Sequence, residues 1–246
     1  MREPKERESE PEATEEDSDY TWPAVAVAVV GAVAAGAWFL GPKVQRMVNG
    51  TPPPPLTKRR ERVLAIVNEV AGATYPDARY KAFSPGYQPE SETWRERIKS
   101  AGADPDHYTE CGRLPGYVLE QLHATGGGSR SGLESLRTYG RGQGAWVEPG
   151  EGRRPRRGDL YGVADTRGGI LTHVGVIDDA TGNSEWTTWD GGQSVPPVQS
   201  IEHRTRTWNE RTNQLGPPKG INRPAKYLVG WLDIDRISLG DEPRNA

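Results

Sequence analysis

The single cysteine, Cys111, and the four histidines set the chemistry that this 246-residue chain can offer. One thiol excludes an intramolecular disulfide and a cysteine-based zinc cluster. A lone thiol is most often a small buried hydrophobe, so its neighbours decide what it does. Cys111 lies in YTECGRLPGYVLEQL, where Leu114, Val118 and Leu122 follow at spacings near 3.6. That spacing predicts a helix whose inward face Cys111 shares. A thiol at the N-terminal end of a helix feels the positive end of the macrodipole, which favours the reactive thiolate. Thr109 is a candidate cap, and the backbone N–H groups there are candidate oxyanion donors. Pro115 fits the first turn, which starts the helix near Leu114 and leaves Cys111 in the turn before it.

A thiol needs a base, and the base needs an orienting partner. His107 and His123 stand in polar surroundings near Cys111 in sequence, and His203 sits in the charged run EHRTRTW. All three read as surface residues. His173 differs, because it opens the apolar run HVGVI. Strand alternation puts His173, Gly175 and Ile177 on one face. Gly175 leaves room beside the imidazole for a facing helix or a substrate.

A cysteine opening a helix, a GDL strand entry and a strand that begins with histidine occur here in that order. The order resembles the NlpC/P60 and CHAP cysteine peptidases. RRGDLYGVAD is similar to that family's Gly-Asp-Leu strand entry, and THVGVIDD to its histidine strand. In the family, the next strand carries a third polar residue that orients the histidine. In WTTWDGGQ that place falls on Asp190, with Gln193 as the alternate. The family's usual Asp-Cys-Ser is replaced by Glu110, Cys111 and Gly112, a departure that bears on the substrate. The resemblance covers roughly residues 58–238. It implies an α+β, papain-like fold with N-terminal helices packed on an antiparallel sheet. It also implies amide hydrolysis of cell-wall peptides, and no metal or cofactor. Cys111 is then the nucleophile, His173 the base and Asp190 its orienting carboxylate. Tyr108 supports the oxyanion together with backbone N–H groups.

Three functions follow as expectations. The first is a peptidoglycan amidase or endopeptidase, for wall remodelling or as an antibacterial toxin. The second is a protein-directed toxin of the same fold: a protease, deamidase or acyl transferase. The third is a catalytically silent wall-binding module, whose WTTWDGG and RTW tryptophans stack on sugars. An effector would also have an immunity protein or a delivery chaperone as partner. The net charge of -3 gives no reason to expect nucleic acid.

The elements that must position these residues are legible in part. Val63, Ile66, Val67 and Val70 mark one face of an amphipathic helix, and Gly72 is placed to end it. Residues 74–106 read as an irregular layer with scattered aromatics and a short helix over 92–101. GGGSRSG, residues 126–132, reads as a flexible loop. Strands are predicted in GDLYGVAD, THVGVIDD, SEWTTWDGG and KYLVGWLDI. Helices first and an antiparallel sheet after them give an α+β domain over 58–238, followed by a tail over 239–246.

The N-terminal part has another composition. Residues 1–20 hold nine acids against Arg2, Lys5 and Arg7, and read as disordered. Residues 22–40 carry no charge and are flanked by Trp22 and Trp38, so a transmembrane helix is expected over 21–42. A proline-rich linker occupies 43–57. The basic residues Lys43, Arg46, Lys58, Arg59, Arg60 and Arg62 follow the apolar stretch, which by the positive-inside rule favours a cytoplasmic domain. A wall hydrolase needs the opposite. The expectation is a bacterial single-pass inner-membrane protein with its catalytic domain on the wall side, the alternative an exported effector.

Overall fold

The computed structural model describes residues 55–126, 132–150, 153–182, 184–194 and 198–240. Five helices come first: α1 (Lys58–Val70), α2 (Ala78–Phe83), α3 (Glu92–Ser100), α4 (Arg113–Gln121) and α5 (Leu133–Gly142). Seven strands follow: β1 (Trp146–Val147), β2 (Leu160–Ala164), β3 (His173–Asp179), β4 (Glu185–Gly191), β5 (Ile201–Asn209), β6 (Gln214–Pro218) and β7 (Lys226–Leu232). A 3-10 turn over Ile234–Arg236 closes the described chain.

Helix α1 begins where the Thr57 hydroxyl accepts from the Arg60 N–H, 3.3 Å away. Its buried face carries Val63, Ile66, Val67 and Val70, as the 3.6 spacing requires, and also Arg60. Gly72 follows with φ +68, the left-handed conformation that glycine adopts at a helix end. Between α1 and α4, aromatic rings pack edge to face. Tyr75 meets Tyr87 at 5.1 Å, Tyr87 meets Trp94 at 5.3 Å, and Trp94 meets Tyr108 at 5.6 Å between centroids. This layer leads directly to the segment that carries Cys111.

The strands pair antiparallel in the order β1-β7-β2-β3-β4-β5-β6, and β6 also pairs with β7. The second pairing closes β2 to β7 into a barrel, which removes their free edges. Period-2 alternation then gives the strands two different faces. Leu160, Val174, Val176, Ile201 and Val229 join the helices in the larger core. Tyr161, Val163, Ile177, Trp186, Trp208, Leu215, Leu228 and Trp231 form a second core on the opposite face. There Trp186 and Trp208 stack with centroids 4.2 Å apart. Both are buried, so neither offers a face to a sugar.

The expected fold, an α+β papain-like domain behind a transmembrane helix, is corrected. The described residues form a mixed α/β arrangement of five helices and a seven-stranded antiparallel sheet, and none of these helices is long and apolar enough to cross a membrane. The longest, α1, has 13 residues and begins KRRER. At 1.5 Å per residue it covers about 20 Å, short of the ~30 Å hydrocarbon core, and its charges forbid immersion. The acidic tail over 1–20, the expected span over 21–42, most of the linker over 43–57 and most of the 126–132 and 239–246 segments lie outside the described residues.

Arg60 also changes its reading. The sequence places it in a basic run behind the apolar stretch, but the fold buries it. Its guanidinium meets Asp159 at 2.8 Å, Asp233 at 2.7 Å and Asp235 at 2.8 Å. The ion cluster ties α1 to the entry of β2 and to the 3-10 turn, which makes the Asp of the GDL motif a structural residue.

Candidate active site

Cys111 lies two residues before α4, in a turn closed by the Arg113 N–H donating to the Glu110 carbonyl at 2.9 Å. Two groups hold this turn from the side of the sheet. Buried Gln199 donates from Nε2 to the Tyr108 carbonyl at 3.0 Å and accepts from the Glu110 N–H at 3.4 Å. Gly192, with φ +67, comes so close that an added Cβ would stand 2.9 Å from the Cys111 nitrogen. Only glycine allows both the conformation and the approach. The Glu110 side chain points the other way, accepting from the Ser84 hydroxyl at 2.6 Å, and burial pushes its carboxyl up.

The turn sets the Cys111 thiol beside His173, close enough for each group to act on the other's proton. His173 opens β3, and its Nε2 lies 2.7 Å from Asp190 Oδ1. That leaves Nδ1 for the sulfur. Asp190 is fully buried near the end of β4 and has four donors. Oδ1 accepts from His173 and from the Tyr161 hydroxyl at 2.5 Å. Oδ2 accepts from the Thr188 hydroxyl at 2.8 Å and from Arg206 Nη2 at 2.9 Å. Gly175 makes room for this carboxylate, not for a helix or a substrate, because an added Cβ would stand 2.5 Å from Asp190 Oδ1.

The electrostatics follow from this packing. Burial pushes the Asp190 carboxyl up, but the charges of Arg206 and His173 and the surrounding hydrogen bonds outweigh it and hold the group far below the usual carboxylate range. Burial pulls His173 down, yet the Asp190 carboxylate and the Cys111 sulfur outweigh it and raise it to about 9. Burial pushes the Cys111 thiol up, whereas the His173 bond and charge, the Thr109 hydroxyl and the Val174 backbone bring it below its ordinary value. The two shifts run in the same sense, moving the shared proton from the sulfur toward the imidazole. Such a pair can attack an electrophilic carbon and then return the proton to a leaving group.

Of the residues picked out by sequence, the structure brings Cys111, His173 and Asp190 together, with the imidazole bonded to the carboxylate. Gln193 is not part of it. Its Nε2 folds back onto the Gly191 carbonyl at 3.0 Å. Tyr108 is half-buried, its ring edge to face with Trp94, and burial, with the nearby Glu110 and Cys111 charges, pushes its phenol up. His107 pairs with Asp104 at 2.7 Å, and His203 pairs with Asp178 at 3.0 Å and packs against Trp189. His123 is exposed in the turn after α4.

Sequence reasoning missed Tyr161, Thr188, Gln199 and Arg206. A signal existed for two of them. Alternation along WTTWD puts Trp186, Thr188 and Asp190 on one face, and along RTRTW it puts Arg206 with Trp208. Gln199 and Tyr161 become visible only through the fold. Among the described residues no group of His, Cys, Asp and Glu side chains is placed to hold a metal ion. No protein-family model, curated protein or solved structure matches the chain.

Proposed function

We propose that the chain is a cysteine hydrolase that cleaves amide bonds in the peptides of peptidoglycan, as an amidase or endopeptidase. The observation that carries the reading is the Cys111 thiol set beside His173, whose Nε2 is held by the buried, ionised Asp190. The resemblance of its cysteine, GDL and histidine motifs to the NlpC/P60 and CHAP peptidases supplies the substrate class.

In the proposed reaction the Cys111 thiolate attacks the amide carbonyl carbon, and the C=O electrons move onto oxygen. In this reading backbone N–H groups of the turn before α4, with the Tyr108 hydroxyl, steady that oxygen. The C–N bond breaks as the His173 imidazolium gives its proton to the departing amine. Water, deprotonated by the now neutral His173, attacks the thioester, and the acid leaves as the thiolate is restored. Asp190 keeps the ring in one orientation and stabilises its charge throughout.

Digestion of purified peptidoglycan by the full chain tests this. The expected result is release of new amino groups that Cys111→Ala abolishes. If the wall stays intact while a protein substrate loses amides in a Cys111-dependent way, the protein-directed reading replaces this one.

A further inference from the structure

Arg206 has no place in the sequence reading, yet it is the cation against which Asp190 rests. It sits on β5, buried with Trp208 against the second core. Its contacts form a fork. Nη2 meets Asp190 Oδ2 at 2.9 Å, Nε meets the Thr188 hydroxyl at 3.3 Å, and Nη1 meets the Gly216 carbonyl at 3.4 Å. Thr188 in turn donates to the same Oδ2. One oxygen of Asp190 is thus committed to Arg206 and Thr188, and the other faces His173 and Tyr161. A carboxylate pinned at both ends cannot rotate away from the imidazole.

We propose that Arg206 is a positioning residue for the thiol–imidazole pair, fixing the orientation of Asp190 and offsetting its charge. The proposal rests on the reading of Cys111 and His173 as a working pair. The groups that face Asp190 are Tyr161 from β2, His173 from β3, Thr188 from β4 and Arg206 from β5. Across the second core, β6 adds the Gly216 carbonyl and Leu215, and β7 adds Leu228 and Trp231, none of which titrates. Cys111 completes the set from the turn before α4. The thiol and imidazole share one proton and sum to zero charge in either arrangement, so with the carboxylate and the guanidinium the assembly is neutral. An Asp190 without Arg206 would be an uncompensated charge that the imidazolium alone must balance. The imidazolium would then hold its proton more tightly and be a weaker acid toward a leaving amine. Arg206 accordingly keeps the base within a useful range.

The test is the titration of His173 in the full chain, followed by NMR of histidine-labelled protein and assigned with His173→Ala. In Arg206→Gln the His173 midpoint should rise by about one pH unit, within the range a neighbouring charge produces. Arg206→Lys should return it most of the way by restoring the charge. A folded Arg206→Gln whose His173 titrates as in the wild type overturns the proposal and leaves Arg206 a packing residue. If Arg206→Gln does not fold, the double variant with Asp190→Asn removes both buried charges together. Its His173 should titrate as in Asp190→Asn alone, and a displacement as large as about one unit between those two overturns the proposal. The measurement needs no substrate. A chain that leaves peptidoglycan intact but shows the Arg206 effect would lose its substrate assignment and keep this one.

Discussion

Cys111 is poised by where its proton goes. Burial alone would make the thiol inert, and the neighbouring imidazole reverses that outcome. Cys111→Ala should therefore abolish the proposed hydrolysis with little change in thermal midpoint, since the substitution removes little volume. His173→Ala should cost nearly as much, and the double variant little more, because members of one catalytic unit are not additive. Kinetics of the three variants check this, and a double variant far below both singles would contradict it. Asp190→Asn should lower turnover about tenfold or more, through loss of charge beside the imidazolium. Gln193→Ala should leave turnover near the wild type, because its side chain serves its own turn. The pH dependence of stability has a definite sign. The folded pKa of His173 lies at about 9, above its ordinary value of 6.5. Its contribution is thus fully present below about pH 6.5 and lost as pH rises through about 9. Chemical denaturation across that window should show an alkaline loss that is smaller in His173→Ala.

The elements place these residues by two periodicities. Alternation along β3 and β4 brings His173 and Asp190 onto the same side of adjacent strands, and α4 brings Cys111 to them from the other layer. The alternation was legible in HVGVI and WTTWD, as was the apolar stripe of α1. Strand β5 was not, because its run IEHRTRTWN is dense in charge and its buried Arg206 and Trp208 look exposed until Asp190 is set opposite them. Strand β6 was hidden by Pro217 and Pro218, which seldom occur in sheet interiors. Arg60 misled for a related reason. A cation on an apolar helix face reads as a surface charge unless its three carboxylates, 99 to 175 residues away, are brought to it. Arg60→Met should destabilise the fold by about 3 kcal/mol or more, since it leaves buried carboxylates unpaired. A denaturant midpoint near the wild type would contradict that role.

The molecule as described closes on itself between α1 and the 3-10 turn. The Thr57 hydroxyl donates to Asp235 at 2.6 Å, and Arg59 Nη1 donates to the Ile234 and Ile237 carbonyls at 3.0 and 2.9 Å. The first and last described elements thus brace each other, and the barrel behind them has its main strands paired. Removing residues 1–50 should leave a folded domain with an unchanged thermal midpoint and a reactive Cys111. Failure of the shortened chain to fold would mean that the N-terminal part contributes to the core. At this scale the sequence could show where composition changes, near the proline run, but not which element would lie against which.

The proposed hydrolase requires that His173 draw the proton from Cys111 and make its thiolate available. The rate of its alkylation by iodoacetamide, measured from pH 5 to 10 in the wild type and in His173→Ala, reads this directly. The wild type should react fast well below the pH at which an ordinary thiol ionises, near 8.5, and His173→Ala should shift that rise to at least the ordinary range. Superimposable profiles would show that the imidazole does not activate the thiol, and the proposed hydrolase would fall with it.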